Sequence, residues 1–113
     1  MLKGLGNIAE MAKMMSTAKE MQARMAALQD DLSRMTLTGE AGGGLVLVHC
    51  TGKGNITGID LNPAILHPSA KEQAEQLILA ALQDAQSRAQ NLAKSELAKI
   101  AQSLGLPADL PLI

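Results

Sequence analysis

The stretch Thr36–Pro63, TLTGEAGGGLVLVHCTGKGNITGIDLNP, decides the fold of this 113-residue chain. It contains most of the ten glycines, and three short runs of aliphatic and β-branched residues lie between its glycine clusters. Runs of this kind, separated by glycine-containing turns, predict strands joined by hairpins. The three runs are Thr36–Thr38, Leu45–Thr51 and Ile56–Leu61. The stretch therefore predicts a three-stranded antiparallel meander over about residues 36–62.

Segments rich in Ala, Met, Leu, Gln, Lys and Glu lie on both sides of the meander, and these residues favour helix. We predict one helix over about residues 8–35 and a second over about residues 69–104. The predicted fold class is α+β, with the order α-β-β-β-α and two long helices flanking the meander. A chain of this length is expected to form a single domain over residues 1–113.

Local signals mark both ends of the second helix. Ser69 stands three residues before Glu72, which predicts a capping box at the helix start. Gly105 is the residue type that most often follows the last turn of a helix. An apolar tail interrupted by prolines extends over residues 105–113, and its composition leaves open whether it docks on a neighbour or is loose.

Composition and charge limit the classes of function. Ten basic and eleven acidic residues give a net charge of −1, which provides no strong field for nucleic acid or membrane. The single cysteine excludes an intrachain disulfide and suits a reducing compartment. Glu10 and Lys13 interrupt the first apolar segment, and no run approaches the ~18 apolar residues of a membrane helix. We therefore expect a soluble, cytoplasmic protein with no membrane partner.

An apolar stripe runs along the predicted first helix at alternating spacings of three and four residues, as in a heptad pattern. Its members are Met11, Met14, Ala18, Met21, Met25, Leu28, Leu32 and Met35. The helix would be about 42 Å long, whereas the strands span only ~20 Å, so the sheet cannot cover the whole stripe. The stripe could pack on the second helix or on a second copy of the chain. Its length favours a homodimer with Met21, Met25 and Leu28 in the interface.

The middle strand offers no catalytic arrangement. Alternation places Val46, Val48 and Cys50 on one face and His49 on the other, so His49 and Cys50 cannot act together. Cys50 is predicted to be a packed small hydrophobe. Both glycine clusters lead into strands, whereas a phosphate-binding P-loop leads into a helix. Two histidines and one cysteine do not supply the ligands of a zinc site. We predict no enzyme activity, no cofactor and no metal.

Several motifs occur in order along the chain. They are MQARM (21–25), TGEAGGGLVLV (38–48), TGKG (51–54), DLNP (60–63) and LILAALQDA (77–85). Together these motifs resemble the YbaB/EbfC family over about residues 21–92. The resemblance implies a nucleoid-associated protein that binds duplex DNA as an intertwined homodimer. In that arrangement two meanders form a joint sheet and the helices project from it, which brings Val46 and Val48 into the expected dimer interface.

The same resemblance directs attention to the cations of the helices. The residues expected to contact DNA phosphates are Lys19, Arg24, Arg34, Arg88 and Lys94. The three arginines each stand four residues after a carboxylate, and Glu10 precedes Lys13 by three, so ion pairs are expected to neutralise these cations. Lys19 and Lys94 have no acidic residue three or four positions away.

Two functions remain open from the sequence. The first is a non-enzymatic, nucleoid-associated protein that binds duplex DNA as a homodimer, mainly through phosphate contacts of helix lysines and arginines. The chain contains no Phe, Tyr or Trp, so it cannot stack the bases of single strands on aromatic rings. The alternative is a protein-interaction or scaffolding dimer without strong DNA affinity, which would bind an unknown protein partner.

Overall fold

The computed structural model describes the backbone of residues 2–105 and the side chains of residues 8–105. The main elements, in order, are α1 (Leu2–Arg34), β1 (Thr36–Ala41), β2 (Val46–Thr51), β3 (Ile56–Leu61) and α2 (Lys71–Ser103). The predicted α+β class and the order α-β-β-β-α are confirmed. The first helix begins well before the predicted start at residue 8. Residues 106–113 of the predicted tail lie outside the described residues.

The three strands form one antiparallel sheet in the order β1-β2-β3. Val48 on the central strand lies opposite Gly39 on one side and Ile59 on the other. The first apolar run ends at Thr38, so the sequence predicts a turn over residues 39–44, but β1 continues through Gly39 to Ala41. The turn itself contains the three glycines at 42–44, all with positive φ, a conformation that glycine adopts without steric cost.

Helix α2 covers the β2 side chains that the sequence places on one face. Val46, Val48 and Cys50 are all 0% exposed and form the main core with three alanines of α2. Burial raises the pKa of the Cys50 thiol, and the predicted packing of this residue is confirmed. Val46 and Val48 therefore belong to the core of the single chain. In the single chain α2 covers this face of the sheet, and the place of the two valines in a dimer interface stays a prediction.

The contact between β1 and α2 depends on the absence of a side chain at Gly39. A Cβ atom added there would lie 2.5 Å from the Ala81 carbonyl oxygen and even closer to the backbone nitrogen of Ala85. The two α2 residues are themselves small and 0% exposed. Glycine facing alanines thus lets the helix backbone come directly against the strand backbone.

The apolar stripe of α1 has two different environments. In its second half Leu28 and Leu32 are buried against Leu97 of α2, and Met25 packs around them. This half of the stripe therefore packs on the second helix of its own chain, which is one of the two alternatives that the sequence left open. Met21 is half-buried near the end of α2, and the residues before it extend past that end. The resulting molecule is elongated, with dimensions of 81 × 22 × 16 Å.

The start of α2 differs from the capping box predicted at Ser69. A 3-10 turn, Pro68–Ala70, precedes the helix, and the N-cap residue is Ala70, which makes no side-chain cap. The Ser69 hydroxyl instead lies 2.7 Å from Nδ1 of His67. Proline at the first position of the 3-10 turn shifts the helix start past the serine. At the other end Gly105 has a φ of +74°, as predicted for the residue that follows the helix.

Replacing Gly39 with alanine is expected to lower the free energy of unfolding by about 3 kcal/mol or more, at the upper end of overpacking costs. The added methyl group meets backbone atoms of α2, which cannot rotate away. Urea unfolding followed by far-UV circular dichroism measures the change. Gly58→Ala is the matched control, because its Cβ would lie 3.7 Å from the nearest atom, a His49 ring carbon. A Gly39→Ala variant as stable as Gly58→Ala would contradict the close approach.

Candidate nucleic-acid interface

The three arginines expected at a DNA interface are all held by carboxylates one helical turn away. Arg24 Nη2 lies 3.0 Å from Glu20 Oε1, and Arg88 Nε lies 3.1 Å from Asp84 Oδ2. Arg34 pairs with Asp30 and, at 3.8 Å, with Asp31. The i,i+4 pairs predicted from sequence therefore form. All three guanidinium groups remain exposed, so each could reach a phosphate only in competition with its own carboxylate.

Arg24 also makes a contact that the sequence does not reveal. Its Nη1 donates a hydrogen bond of 2.6 Å to the hydroxyl of Ser103, at the end of α2. This bond joins α1 to the last turn of α2. Because Leu28 and Leu32, later in α1, pack on the earlier α2 residue Leu97, the two helices run antiparallel. Arg24 consequently has a structural role in holding the helix pair together, and its guanidinium is the least free of the three to leave for a phosphate.

Asp84 connects α2 to the edge of the sheet. Its Oδ2 accepts a 3.0 Å hydrogen bond from the backbone N–H of Glu40 and another from Arg88. These two donors, the Glu40 N–H first, hold the pKa of the Asp84 carboxyl below its usual value. Arg88 is therefore the outer member of a hydrogen-bonded network that joins α2 to β1.

Lysines without an ion pair are the strongest candidates for phosphate contacts. Lys19 and Lys94 are exposed and make no ion pair in the described part of the chain, as their sequence surroundings predict. Lys13 is also exposed, and the ion pair with Glu10 suggested by their spacing does not form among the described side chains. Lys13 and Lys19 lie on the half of α1 that extends past α2, whereas Lys94 lies near the end of α2.

A polar cleft of about 730 Å³ lies where the β2–β3 hairpin meets both helices. Its lining consists of Gln29, Leu32, Gly52, Lys53, Gly54, Asn55, Gln86, Ala89, Gln90 and Ala93. The lining contains one cation, several amides and no carboxylate. Amides donate hydrogen bonds and the ammonium group attracts phosphate, so the cleft can hold an anionic backbone without charge repulsion. Lys94 directly follows Ala93, one of the lining residues.

Lys53 is a candidate that the sequence reasoning missed. It is exposed at the tip of the hairpin, and Gly54 beside it has a φ of +89°. Gly52 N–H donates to the Leu32 carbonyl at 2.8 Å, which fixes the base of the hairpin against α1. The sequence feature that could have identified Lys53 is its position between two glycines in a tight turn. Such a position exposes the lysine side chain and gives it no helical neighbour with which to form an ion pair.

The described side chains provide no constellation for metal binding. No group of three or more His, Cys, Asp and Glu residues could hold an ion within the part of the chain that the structure describes. His49 Nδ1 lies 3.0 Å from the Thr38 hydroxyl, on the sheet face opposite Cys50. Neither described helix is long and apolar enough to cross a membrane.

Comparison with known proteins gives the family. The profile of the YbaB/EbfC DNA-binding family matches residues 7–104. The chain belongs to this family. A nucleoid-associated protein of Desulfotalea psychrophila is 39% identical over 98 residues, which cover 87% of this chain and 92% of the relative. A nucleoid-associated protein of Bartonella tribocorum is 38% identical over 103 residues, 91% of this chain and 96% of the relative.

A solved structure shares the fold. The crystal structure of an uncharacterized protein from Helicobacter pylori superimposes with a TM-score of 0.66 at 20% identity. The match covers 74% of this chain and 88% of the other. The arrangement of helices and strands described above therefore recurs in a solved protein, and the family resemblance noted in the motifs at 21–92 is confirmed by the family profile.

The Asp84 network gives the stability a dependence on pH. A carboxylate whose folded-state pKa is lowered stabilises the fold above its unfolded pKa of about 3.9, and this contribution is lost as the pH falls through the folded value. Asp84→Asn should therefore lower stability near neutral pH. The difference from the unmodified chain should shrink below about pH 4. Urea unfolding midpoints of both proteins, measured from neutral pH to below about pH 4, test this prediction.

Asp30→Asn is the matched control for this experiment, because Asp30 pairs only with its neighbour Arg34 on an exposed helix surface. That substitution should change the midpoint much less, since exposed pairs contribute little. Equal effects of the two substitutions at every pH would show that the hydrogen bond to Glu40 has no special importance.

Proposed function

We propose that this protein binds duplex DNA without catalysing a reaction, as a homodimer in the nucleoid. Membership of the YbaB/EbfC DNA-binding family and relatives named nucleoid-associated proteins support the class of function. The observation that carries the proposal here is the set of exposed lysines without ion pairs in the described part of the chain. They are Lys13, Lys19, Lys53 and Lys94.

The proposed contacts are electrostatic and reach phosphates rather than bases. Lys94 and Lys53 lie at or beside the polar cleft, and Lys19 lies on the extended half of α1. Arg24, Arg34 and Arg88 take part only when a phosphate displaces their carboxylates. Phosphate contacts carry no sequence information, so binding should depend weakly on the sequence of the duplex. Without aromatic rings for base stacking, single strands should compete poorly.

Phosphate contacts release counterions from the duplex, so binding should be strongest at low salt. Two copies of Lys19, Lys53 and Lys94 give about six phosphate contacts, so raising salt from about 50 to 200 mM should weaken binding on the order of a thousandfold. The double substitution Lys19→Gln with Lys94→Gln should weaken binding equally on unrelated duplexes. It should also reduce the salt slope by about 0.9 for each phosphate that is no longer neutralised. Salt-titrated fluorescence anisotropy measures both effects.

A charge-matched control separates local contacts from net charge. Lys71 and Lys99 are exposed but paired, with Glu75 at 3.8 Å and Glu96 at 3.2 Å. The double substitution Lys71→Gln with Lys99→Gln changes the net charge by the same amount. We expect it to leave duplex affinity nearly unchanged. Equal losses for the two double variants would refute the assignment of Lys19 and Lys94.

A homodimer would place a second set of these lysines on the same duplex. Strand β3 supports this part of the proposal, because it is the edge of the sheet that lies away from α2. Ile56 and Ile59 pair with Cys50 and Val48, so they share the face that α2 covers elsewhere, yet they are 41% and 50% exposed. Exposed edge strands with apolar side chains are normally covered in native proteins. We propose that a second copy covers this edge.

Sedimentation equilibrium at low micromolar concentration should give twice the chain mass. Ile59→Asp should shift the protein toward monomer, because a charge buried in the contact is costly. Leu79→Asp introduces the same charge at an exposed apolar residue of α2 and should leave the mass unchanged. A monomer of the unmodified chain would refute the dimer. Dissociation by Met25→Asp but not by Ile59→Asp would return the interface to the Met21, Met25 and Leu28 seam that the sequence predicted.

The second candidate is a protein-interaction dimer without strong DNA affinity. The observation that favours it is the exposed apolar surface on the first half of α1, which is unusual for a helix whose only ligand is a phosphate backbone. Absence of duplex binding at about 50 mM salt, together with a stable dimer, would favour this candidate over the first.

A further inference from the structure

The first half of α1 presents large apolar side chains that no other described element covers. We call this surface the methionine stripe. Its most exposed members, between 62% and 71% exposed, are Ile8, Met11, Met14 and Met15. A cluster of this kind on one side of a helix marks an interaction surface, whereas single exposed apolar residues do not.

The end of α2 borders the same groove as part of the methionine stripe. Met14, Ala18 and Met21 line a shallow groove of about 610 Å³ together with Leu104, the residue that follows α2. Glu10, Lys13 and Thr17 complete the lining of the groove. The chain therefore leaves its second helix at a groove that is also lined by the exposed part of the first.

The direction of the chain at this point is set by the helix pair. Arg24 contacts Ser103, and the buried leucines of α1 contact Leu97, so α2 runs toward the N-terminal end of α1. Gly105 then adopts a φ of +74° and ends the helix beside the groove. A segment that continues in the direction of α2 passes over Met14 and Met11 toward Ile8.

The sequence after Gly105 has the composition to fill this groove. Residues 106–113 read LPADLPLI, with one charged residue and two prolines. Proline prevents helix and favours an extended backbone of about 3.1 Å per residue, so eight residues reach ~25 Å. The stripe from Ala18 to Ile8 is only ~15 Å long at 1.5 Å per residue. The segment is thus long enough to cover the whole exposed stripe.

We propose that residues 106–113 lie along the methionine stripe of their own chain. The tether at Leu104 is already in the groove, so the local concentration of the segment is in the millimolar range, above that of any second copy in solution. Methionine side chains adapt to irregular apolar partners, which suits a proline-containing segment. The proposal is independent of the β3 contact and of the phosphate contacts of Lys19, Lys53 and Lys94, because the groove contains neither the sheet edge nor these three lysines.

A single tryptophan tests the proposal, because the chain contains no aromatic residue of its own. Leu110→Trp places the only fluorophore in the segment. We expect blue-shifted emission and several-fold weaker quenching by acrylamide than in a peptide of residues 105–113 with the same substitution. Adding Met14→Asp should restore the emission and quenching of the peptide, since it puts a charge in the groove.

Leu79→Asp is the matched control, because Leu79 is an exposed apolar residue of α2 away from the groove and the substitution is chemically the same. It should leave the tryptophan shielded. The far-UV circular dichroism spectrum should be the same for Leu110→Trp alone and for its combinations with Met14→Asp and with Leu79→Asp, since Met14 and Leu79 are both exposed. A fully quenched tryptophan in Leu110→Trp alone would overturn the proposal. Shielding that disappears on dilution would also overturn it, by assigning the stripe to a second copy.

Discussion

The fold depends on the close approach of α2 to the first two strands. Gly39 faces Ala81 and Ala85, and a single added methyl group would meet backbone atoms. The chain has no aromatic residue, so its core cannot gain area from large rings. Short distances between backbones provide the packing instead, and they require small residues on both sides. The polar network at Asp84 lies beside this contact and fixes the helix against the strand edge.

Much of this architecture was predictable because its signals are local. Glycine clusters between β-branched runs indicated the meander, alternation indicated the faces of β2, and i,i+4 spacing indicated the ion pairs of the three arginines. The turn was predicted to begin at Gly39 because a glycine in a glycine-rich segment resembles a turn residue. Its actual reason is tertiary, since only the position of α2 requires it.

The interface residues show the limit of the same reasoning. Alternation shows that Val46 and Val48 share a face, but it does not show whether a helix or a second chain covers that face. The heptad stripe likewise predicts that Met25 and Leu28 pack on something, and their partner is Leu97 of the same chain. Contacts distant in sequence, such as Arg24 with Ser103 and Asp84 with Glu40, have no local signal at all. The candidate phosphate contacts at Lys19 and Lys94 could be named because their lack of acidic neighbours is local.

The two edges of the sheet are unlike each other, and this difference bears on how far association can proceed. At the β1 edge the Glu40 N–H is occupied by the Asp84 carboxylate and α2 lies close by, whereas the β3 edge carries exposed isoleucines. A sheet with two open edges can add copies without end and grow into a fibre. A sheet with one open edge stops growing once that edge is paired, because joining two such sheets leaves no further edge to extend. By occupying the Glu40 N–H, the carboxylate of Asp84 removes a donor that a further strand at the β1 edge would need, and so opposes growth from that side.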